Sequence, residues 1–225
     1  MTPIPVITID GPAASGKGAV AQVVAERLGF HYLDSGAIYR AAALAIDLAG
    51  EDASSRNLSE AEAATIAAGM ELWFRDGMVF LGARNVTELI RSESCGTNAS
   101  KIAVLPMLRS ALLGLQRAFR RPPGLVAEGR DMGTVVFPDA CLKIFLTASV
   151  ELRAERRHKQ LMEKGINANI QDLLNDIESR DERDRARNSA PLRTGSDTKL
   201  IDTTALSLPE SVDAVLKLYA LSAAN

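Results

Sequence analysis

Val6-Ile7-Thr8-Ile9-Asp10-Gly11-Pro12-Ala13-Ala14-Ser15-Gly16-Lys17-Gly18-Ala19 is a short apolar run that turns through a glycine-rich loop onto a lysine. The β-branched run predicts a buried strand, and Val20, Val23, Val24 and Leu28 recur beyond it at helical spacing. Gly29 supplies the helix stop. Between strand and helix, Gly11 to Lys17 fits the spacing G-x-x-x-x-G-K. Glycine lets the backbone curl so that successive N–H groups point at phosphate oxygens, the helix contributes the positive end of its dipole, and Lys17 adds a point charge that reaches the β and γ phosphates. Gly11, Pro12, Ala13, Ala14, Ser15, Gly16, Lys17, Gly18 and Ala19 are therefore the expected ATP-binding segment. Such loops usually place a Ser or Thr hydroxyl after the lysine for Mg2+, but here Gly18 and Ala19 follow, so no direct side-chain ligand is expected at that point. The ion is expected to be held through the nucleotide's phosphates, through water, or by a nearby carboxylate, with Asp10 and Glu128 at strand ends as candidates.

Outward from the loop, Phe30 to Leu33 reads as a second strand, and Asp34-Ser35-Gly36 opens a helix through Ile38, Leu44 and Leu48. Strand, helix, strand builds a parallel sheet. The middle breaks that rhythm. Ser59 with Glu62 forms a capping box, and Glu71 to Phe74 and Met78 to Leu81 flank Asp76-Gly77 as a hairpin. An antiparallel hairpin within such a chain predicts an insert at about 36–100, with 1–35 and 101–225 as the core. Pro106 starts a helix with Leu108, Leu112, Leu115 and Phe119 on one face. Leu125 to Ala127, Leu142 to Leu146 and Leu200 to Ile201 complete five short strands, and two basic helices lie between the last two. The expected architecture is a three-layer α/β domain with a parallel five-stranded sheet.

Composition narrows the function classes. Of 225 residues, 47% are hydrophobic and 24% charged, as in an ordinary globular protein. No apolar run approaches the ~18 residues of a spanning helix, and no signal-peptide pattern is evident, so a cytoplasmic protein with no membrane partner is expected. Cys95 and Cys141 have no companion at metal spacing. A net charge of −2 argues against a nucleic-acid partner, while basic residues crowd into Arg153–Lys164 and Arg180–Arg193, which suits a small polyanion.

Three longer stretches carry a resemblance: Ile9-Asp10-Gly11-Pro12 with Gly16-Lys17-Gly18, then Leu33-Asp34-Ser35-Gly36-Ala37-Ile38-Tyr39-Arg40, then Gly129-Arg130-Asp131-Met132-Gly133-Thr134-Val135-Val136-Phe137-Pro138-Asp139-Ala140. Together with Asn98-Ala99-Ser100, Arg117-Ala118-Phe119-Arg120, Lys143-Ile144-Phe145-Leu146 and Arg180-Asp181-Glu182-Arg183-Asp184-Arg185, they closely resemble the bacterial cytidylate kinases over nearly the whole chain. The resemblance implies a P-loop nucleoside monophosphate kinase, with a monophosphate-binding insert containing a small antiparallel sheet and a short helical lid at 150–166. It implies transfer of the γ-phosphoryl group of ATP to CMP or dCMP by a monomer. It places Ser35 and Arg40 at the acceptor nucleotide, with Arg40, Arg130 and Arg187 near its phosphate. It also places Ser100, Arg109 and Asp131 at the cytosine, and Arg180 with Asp184 at the sugar. Lys17, Arg130, Arg156 and Arg157 are its implied catalytic cations.

These assignments make chemical sense. A carboxylate such as Asp131 accepts from the cytosine amine and repels the uracil carbonyl, while Arg109 suits the acceptors on the ring. Arg153, Arg156 and Arg157 recur on a helix opened by Ser149, a pattern that by itself means a solvated basic face and that the resemblance turns into lid contacts. Arg180 to Arg187 alternates charges, as intrahelical ion pairs do. Trp73 reads as packing within the insert, and His31 and His158 have no partner for chemistry. The rivals are a small P-loop kinase acting on AMP, UMP or a shikimate-like acceptor, and an ATP-binding sensor without transfer.

Overall fold

β1, Val6–Asp10, is buried along its whole length because it lies in mid-sheet. A computed structural model describes residues 3–50, 59–75, 77–163, 165–186, 190, 192 and 194–223. β1 pairs in parallel with β6, Leu125–Gly129, and with β7, Leu142–Thr147; Ile7 stands opposite Val126 on one side and Leu142 on the other. β2, His31–Asp34, and β8, Lys199–Asp202, are the edges, in the order β2-β6-β1-β7-β8. Strands covered on both faces need near-continuous apolar runs, which is what made these short segments legible. The parallel five-stranded sheet with helices around it is present as expected.

This sheet belongs to a unit formed by Met1–Leu33 and Phe119–Asn225. α1, Lys17–Leu28, packs on it through Val20 and Val24, and α9, Leu208–Ala223, through Val212 and Val215. Gly29 ends α1 in the left-handed region at φ 65°. α7, Val150–Glu163, and α8, Ile170–Ala186, pack on one another within the same unit. Because β1 is flanked by two strands that follow it far along the chain, the connections diverge at its C-terminal end, where ligands bind in open α/β sheets.

The second unit is Asp34–Ala118. It holds α2, Ser35–Leu48; α3, Glu60–Gly69; the antiparallel strands β3, Leu72–Arg75, β4, Met78–Leu81, and β5, Arg84–Asn85; then α4, Thr87–Ile90, α5, Glu93–Ile102, and α6, Pro106–Arg117. Ser59 and Glu62 form the expected capping box. The hairpin forms one residue later than expected on its first strand, and Asp76 of its turn lies outside the described residues. Trp73 stacks on Phe80 at 4.0 Å between centroids and donates its indole N–H to Gly82 O at 2.8 Å, so it packs the small sheet. The insert was expected to end at about residue 100. The unit runs to Ala118 because α6 packs on α3.

Candidate active site

The phosphate-cradling loop follows β1 directly, and its shape has local causes. A Cβ at Gly11 would fall 2.1 Å from Leu146 O on β7, so only glycine lets the loop leave the sheet so close to its neighbour. Ala14 at φ 57° and Gly16 at φ 88° then turn the backbone through the left-handed region, and Gly16 is the N-cap of α1. No side chain caps that helix, which leaves its first amides to an anion. Ser15 Oγ is buried with no protein hydrogen-bond partner among the described residues, a further donor inside the loop.

Lys17 Nζ lies 3.5 Å from Pro12 O and 3.5 Å from Glu128 Oε2. Glu128, near the end of β6, also accepts from Tyr32 OH at 3.2 Å. A Cβ at Gly18 would come within 3.1 Å of Glu128 Oε1. The space where a hydroxyl-bearing side chain would begin is thus bordered by a carboxylate, a physical reason for glycine after the lysine. Asp10 has a different job. Its Oδ1 accepts from Met132 N and its Oδ2 from Gly133 N, both at 2.9 Å, fastening the π-helical turn Met132–Val136 to the end of β1. Burial pushes its carboxyl up to about 7, against the pull of those two amides. A Cβ at Gly133 would meet Thr8 Oγ1 at 2.7 Å, so that glycine is fixed by packing.

Among the described residues no three His, Cys, Asp or Glu side chains cluster as a metal cage. Mg2+ does not require one: it keeps waters and takes one or two carboxylates beside substrate phosphates. Glu128, next to Lys17 and the loop, fits that part; Asp10, with both oxygens engaged by amides, fits it less well.

The expected acceptor residues divide between the two units. In Met1–Leu33 with Phe119–Asn225, Arg130 donates through Nε to Asp184 Oδ2 at 2.7 Å, and Asp131 is buried at the start of the π turn. Burial alone would push the Arg130 guanidinium down, but the Asp184 carboxylate raises it, so it stays charged. Arg180 pairs with Asp176 at 2.9 Å, one turn away on α8. Two residues implied for the sugar, Arg180 and Asp184, therefore share that helix, and Asp184 already holds Arg130. Arg187 lies outside the described residues.

In Asp34–Ala118, Asp34 caps α2 by accepting from Ala37 N at 2.9 Å and stands 3.9 Å from Arg40. Ser35 is buried on the first turn of the same helix. Arg109, buried on α6, donates to Ala103 O at 3.1 Å with its guanidinium over the Tyr39 ring, 5.8 Å from the centroid. Ser100 is half-buried on α5.

On α7, Arg156 donates to Ser15 O at 3.0 Å and to Thr203 O at 3.1 Å, so it is fastened to the loop backbone. Arg157 donates to Gln160 at 3.2 Å. Arg153, which its spacing alone assigns to a solvated face, is instead buried.

A parallel-sheet strand, a phosphate loop with its lysine and a helix in unbroken succession define a P-loop nucleotide-binding protein. A family model described as cytidylate kinase matches residues 7–221. A cytidylate kinase of Burkholderia multivorans is 56% identical over 220 residues, covering 96% of this chain and 93% of its own, and one of Nitrosomonas europaea is 54% identical over 217 residues, covering 96% of each. The chain belongs to the cytidylate kinase family. A solved gluconokinase of Sinorhizobium meliloti aligns over 97% of this chain and 93% of its own with 17% identity and a TM-score of 0.49, too weak a likeness to add to that.

Proposed function

We infer that the chain transfers the γ-phosphoryl group of ATP to CMP or dCMP, giving ADP and CDP or dCDP. The observation that carries this is the phosphate loop, with Lys17 beside it, in a chain that the cytidylate kinase family covers from residue 7 to 221.

The nucleophile is an oxygen of the acceptor phosphate. Its second ionisation, near ~6, leaves it largely dianionic at neutral pH, so no side chain has to act as general base. The protein instead has to align two polyanions and offset their repulsion. The loop amides, Ser15 Oγ and Lys17 hold the donor phosphates; Arg156, already on the loop backbone, and Arg157 add positive charge from α7. Mg2+, when bound, would neutralise charge on the donor phosphates, and Glu128 would hold it directly or through water.

On the acceptor side, the family resemblance assigns Ser35 and Arg40 to the acceptor nucleotide, Arg40, Arg130 and Arg187 to its phosphate, and Ser100, Arg109 and Asp131 to the cytosine. Arg180 and Asp184 take the sugar. Asp34–Ala118 is the monophosphate-binding subdomain and 150–166 the lid. The chain acts as a monomer in the cytoplasm, without nucleic acid; no helix among the described residues is long and apolar enough to cross a membrane.

Formation of CDP from CMP and ATP tests the reading, and its absence would overturn it. Asp131→Ala is expected to raise the Michaelis constant for CMP selectively and to reduce the CMP/UMP preference about tenfold. An unchanged ratio would remove Asp131 from base recognition.

A further inference from the structure

Three arms of one buried guanidinium reach three parts of the Met1–Leu33 and Phe119–Asn225 unit. Arg153, 2% exposed, donates through Nε to Ala148 O at 3.2 Å, just ahead of its own helix α7. Its Nη1 donates to Ala13 O in the phosphate loop at 3.1 Å, and its Nη2 to Asp181 Oδ2 on α8 at 2.6 Å. Asp181 is equally hidden, its side chain 3% exposed. Its Oδ2 also stands 3.9 Å from the exposed Arg185, and its Oδ1 has no hydrogen-bond partner among the described residues. Neither residue belongs to the proposed donor, acceptor or metal contacts.

The orientation of the loop gives the pair its purpose. In a planar trans peptide the C=O and the N–H point in opposite directions. A carbonyl of Ala13 turned to Arg153 therefore turns the Ala14 N–H to the other side, and Ser15 O on Arg156 does the same for the Gly16 N–H. The left-handed φ values at Ala14 and Gly16 are backbone states that an unbraced chain leaves readily, and for alanine they are unfavourable. A guanidinium that cannot turn, because Asp181 and Ala148 O occupy its other two arms, is a fixed brace on that conformation.

We propose that Arg153 is a positioning residue for ATP: held by Asp181, it locks the Ala13–Ala14 peptide so that the loop presents its amides before nucleotide arrives. Asp181 acts through Arg153 and touches neither nucleotide. The pair also joins the loop to α8, whose Asp184 holds Arg130. This rests on the kinase reading above for the identity of the anion.

The test measures ATP and CMP dissociation constants separately, by calorimetry, for the parent chain, Arg153→Lys and the paired replacement Arg153→Met/Asp181→Leu. Removing one partner would leave a buried unpaired charge, whereas removing both does not, so the paired variant is expected to fold with an unchanged circular dichroism spectrum. Arg153→Lys keeps the charge but has no planar fork to span three acceptors. Both variants are expected to weaken ATP binding about tenfold, the effect of losing a charge-assisted hydrogen bond, and to change CMP binding less than about threefold. ATP binding within about twofold of the parent in both folded variants, or equal losses for ATP and CMP, would overturn the proposal. If the parent itself binds no ATP, the kinase reading fails instead.

Discussion

The phosphate loop and Arg40 of the Asp34–Ala118 unit are held in opposite ways. In the loop, conformation is imposed on the backbone: Gly11 is pressed against Leu146 O, Gly16 sits at φ 88°, and two arginines grip loop carbonyls. In Asp34–Ala118, Arg40, the proposed acceptor cation on α2, is a 38% exposed side chain, 3.9 Å from Asp34. A triphosphate tail is the same in every turnover, so a fixed ring of amides can serve it. Choosing one acceptor requires side chains free to find it. Substitutions in the first region should therefore cost stability or chemistry, and those in the second should cost recognition.

The sharpest way to break the contrast is Gly11→Ala. Its Cβ would overlap a backbone carbonyl, so a loss of about 3 kcal/mol is expected, read as a fall of roughly 10 °C in the thermal midpoint. A midpoint unchanged within a degree or two would show the loop to be more pliable than described.

Lys17→Ala comes next. It should lower turnover by about a hundredfold in a coupled phosphoryl-transfer assay while the chain stays folded, since its ion pair with Glu128, at 3.5 Å, is a long one. Unchanged turnover would remove the lysine from the mechanism. For Arg40→Ala the contrast requires a smaller and different result: kcat/KM for CMP down about tenfold, with the melting temperature moved by no more than about 4 °C, because so exposed an ion pair contributes at most about 1 kcal/mol. A large fall in stability without loss of CMP use would invert the comparison.

The last effect is electrostatic and is spread over a range of pH. Native Asp10, pushed up to about 7 by burial, keeps its proton over a range in which the unfolded chain has lost it. The native state then binds more protons, so stability falls as pH rises from about 4 to about 7, by at most about 1.4 kcal/mol per pH unit. Asp10→Asn should flatten that limb in urea titrations at several pH values. It should also lower the plateau, because an amide cannot accept from both Met132 N and Gly133 N. A limb equally steep in the variant would assign the slope to another group.

What could be read from the sequence was whatever is local. The loop from Gly11 to Lys17, the apolar runs of the five strands, the capping box at Ser59 and the stop at Gly29 each announce themselves within a few residues. The π turn at Met132–Val136 does not, because it depends on Asp10 more than a hundred residues earlier. β5 is two residues long and has no period to detect. α6 was expected in the core because nothing in its own amphipathic pattern says that its apolar face meets α3. Arginine spacing on α7 correctly marked a cationic helix but misjudged Arg153, whose burial is set by Ala13 and Asp181, residues remote in sequence. For Asp10, position at a strand end suggested a metal contact; the two amides that occupy it come from the unforeseen turn. The remaining acceptor residues rest on motif resemblance, since a serine or arginine on a helix surface carries no local sign of a base or a sugar.

The most direct measurement is kcat/KM for CMP, dCMP, UMP and AMP at one fixed concentration of ATP with Mg2+. CMP and dCMP are expected to lead UMP and AMP by about tenfold or more, with ADP formed in step with the cytidine diphosphate. AMP or UMP used as well as CMP, or no transfer to any of the four, would contradict a cytidine monophosphate kinase.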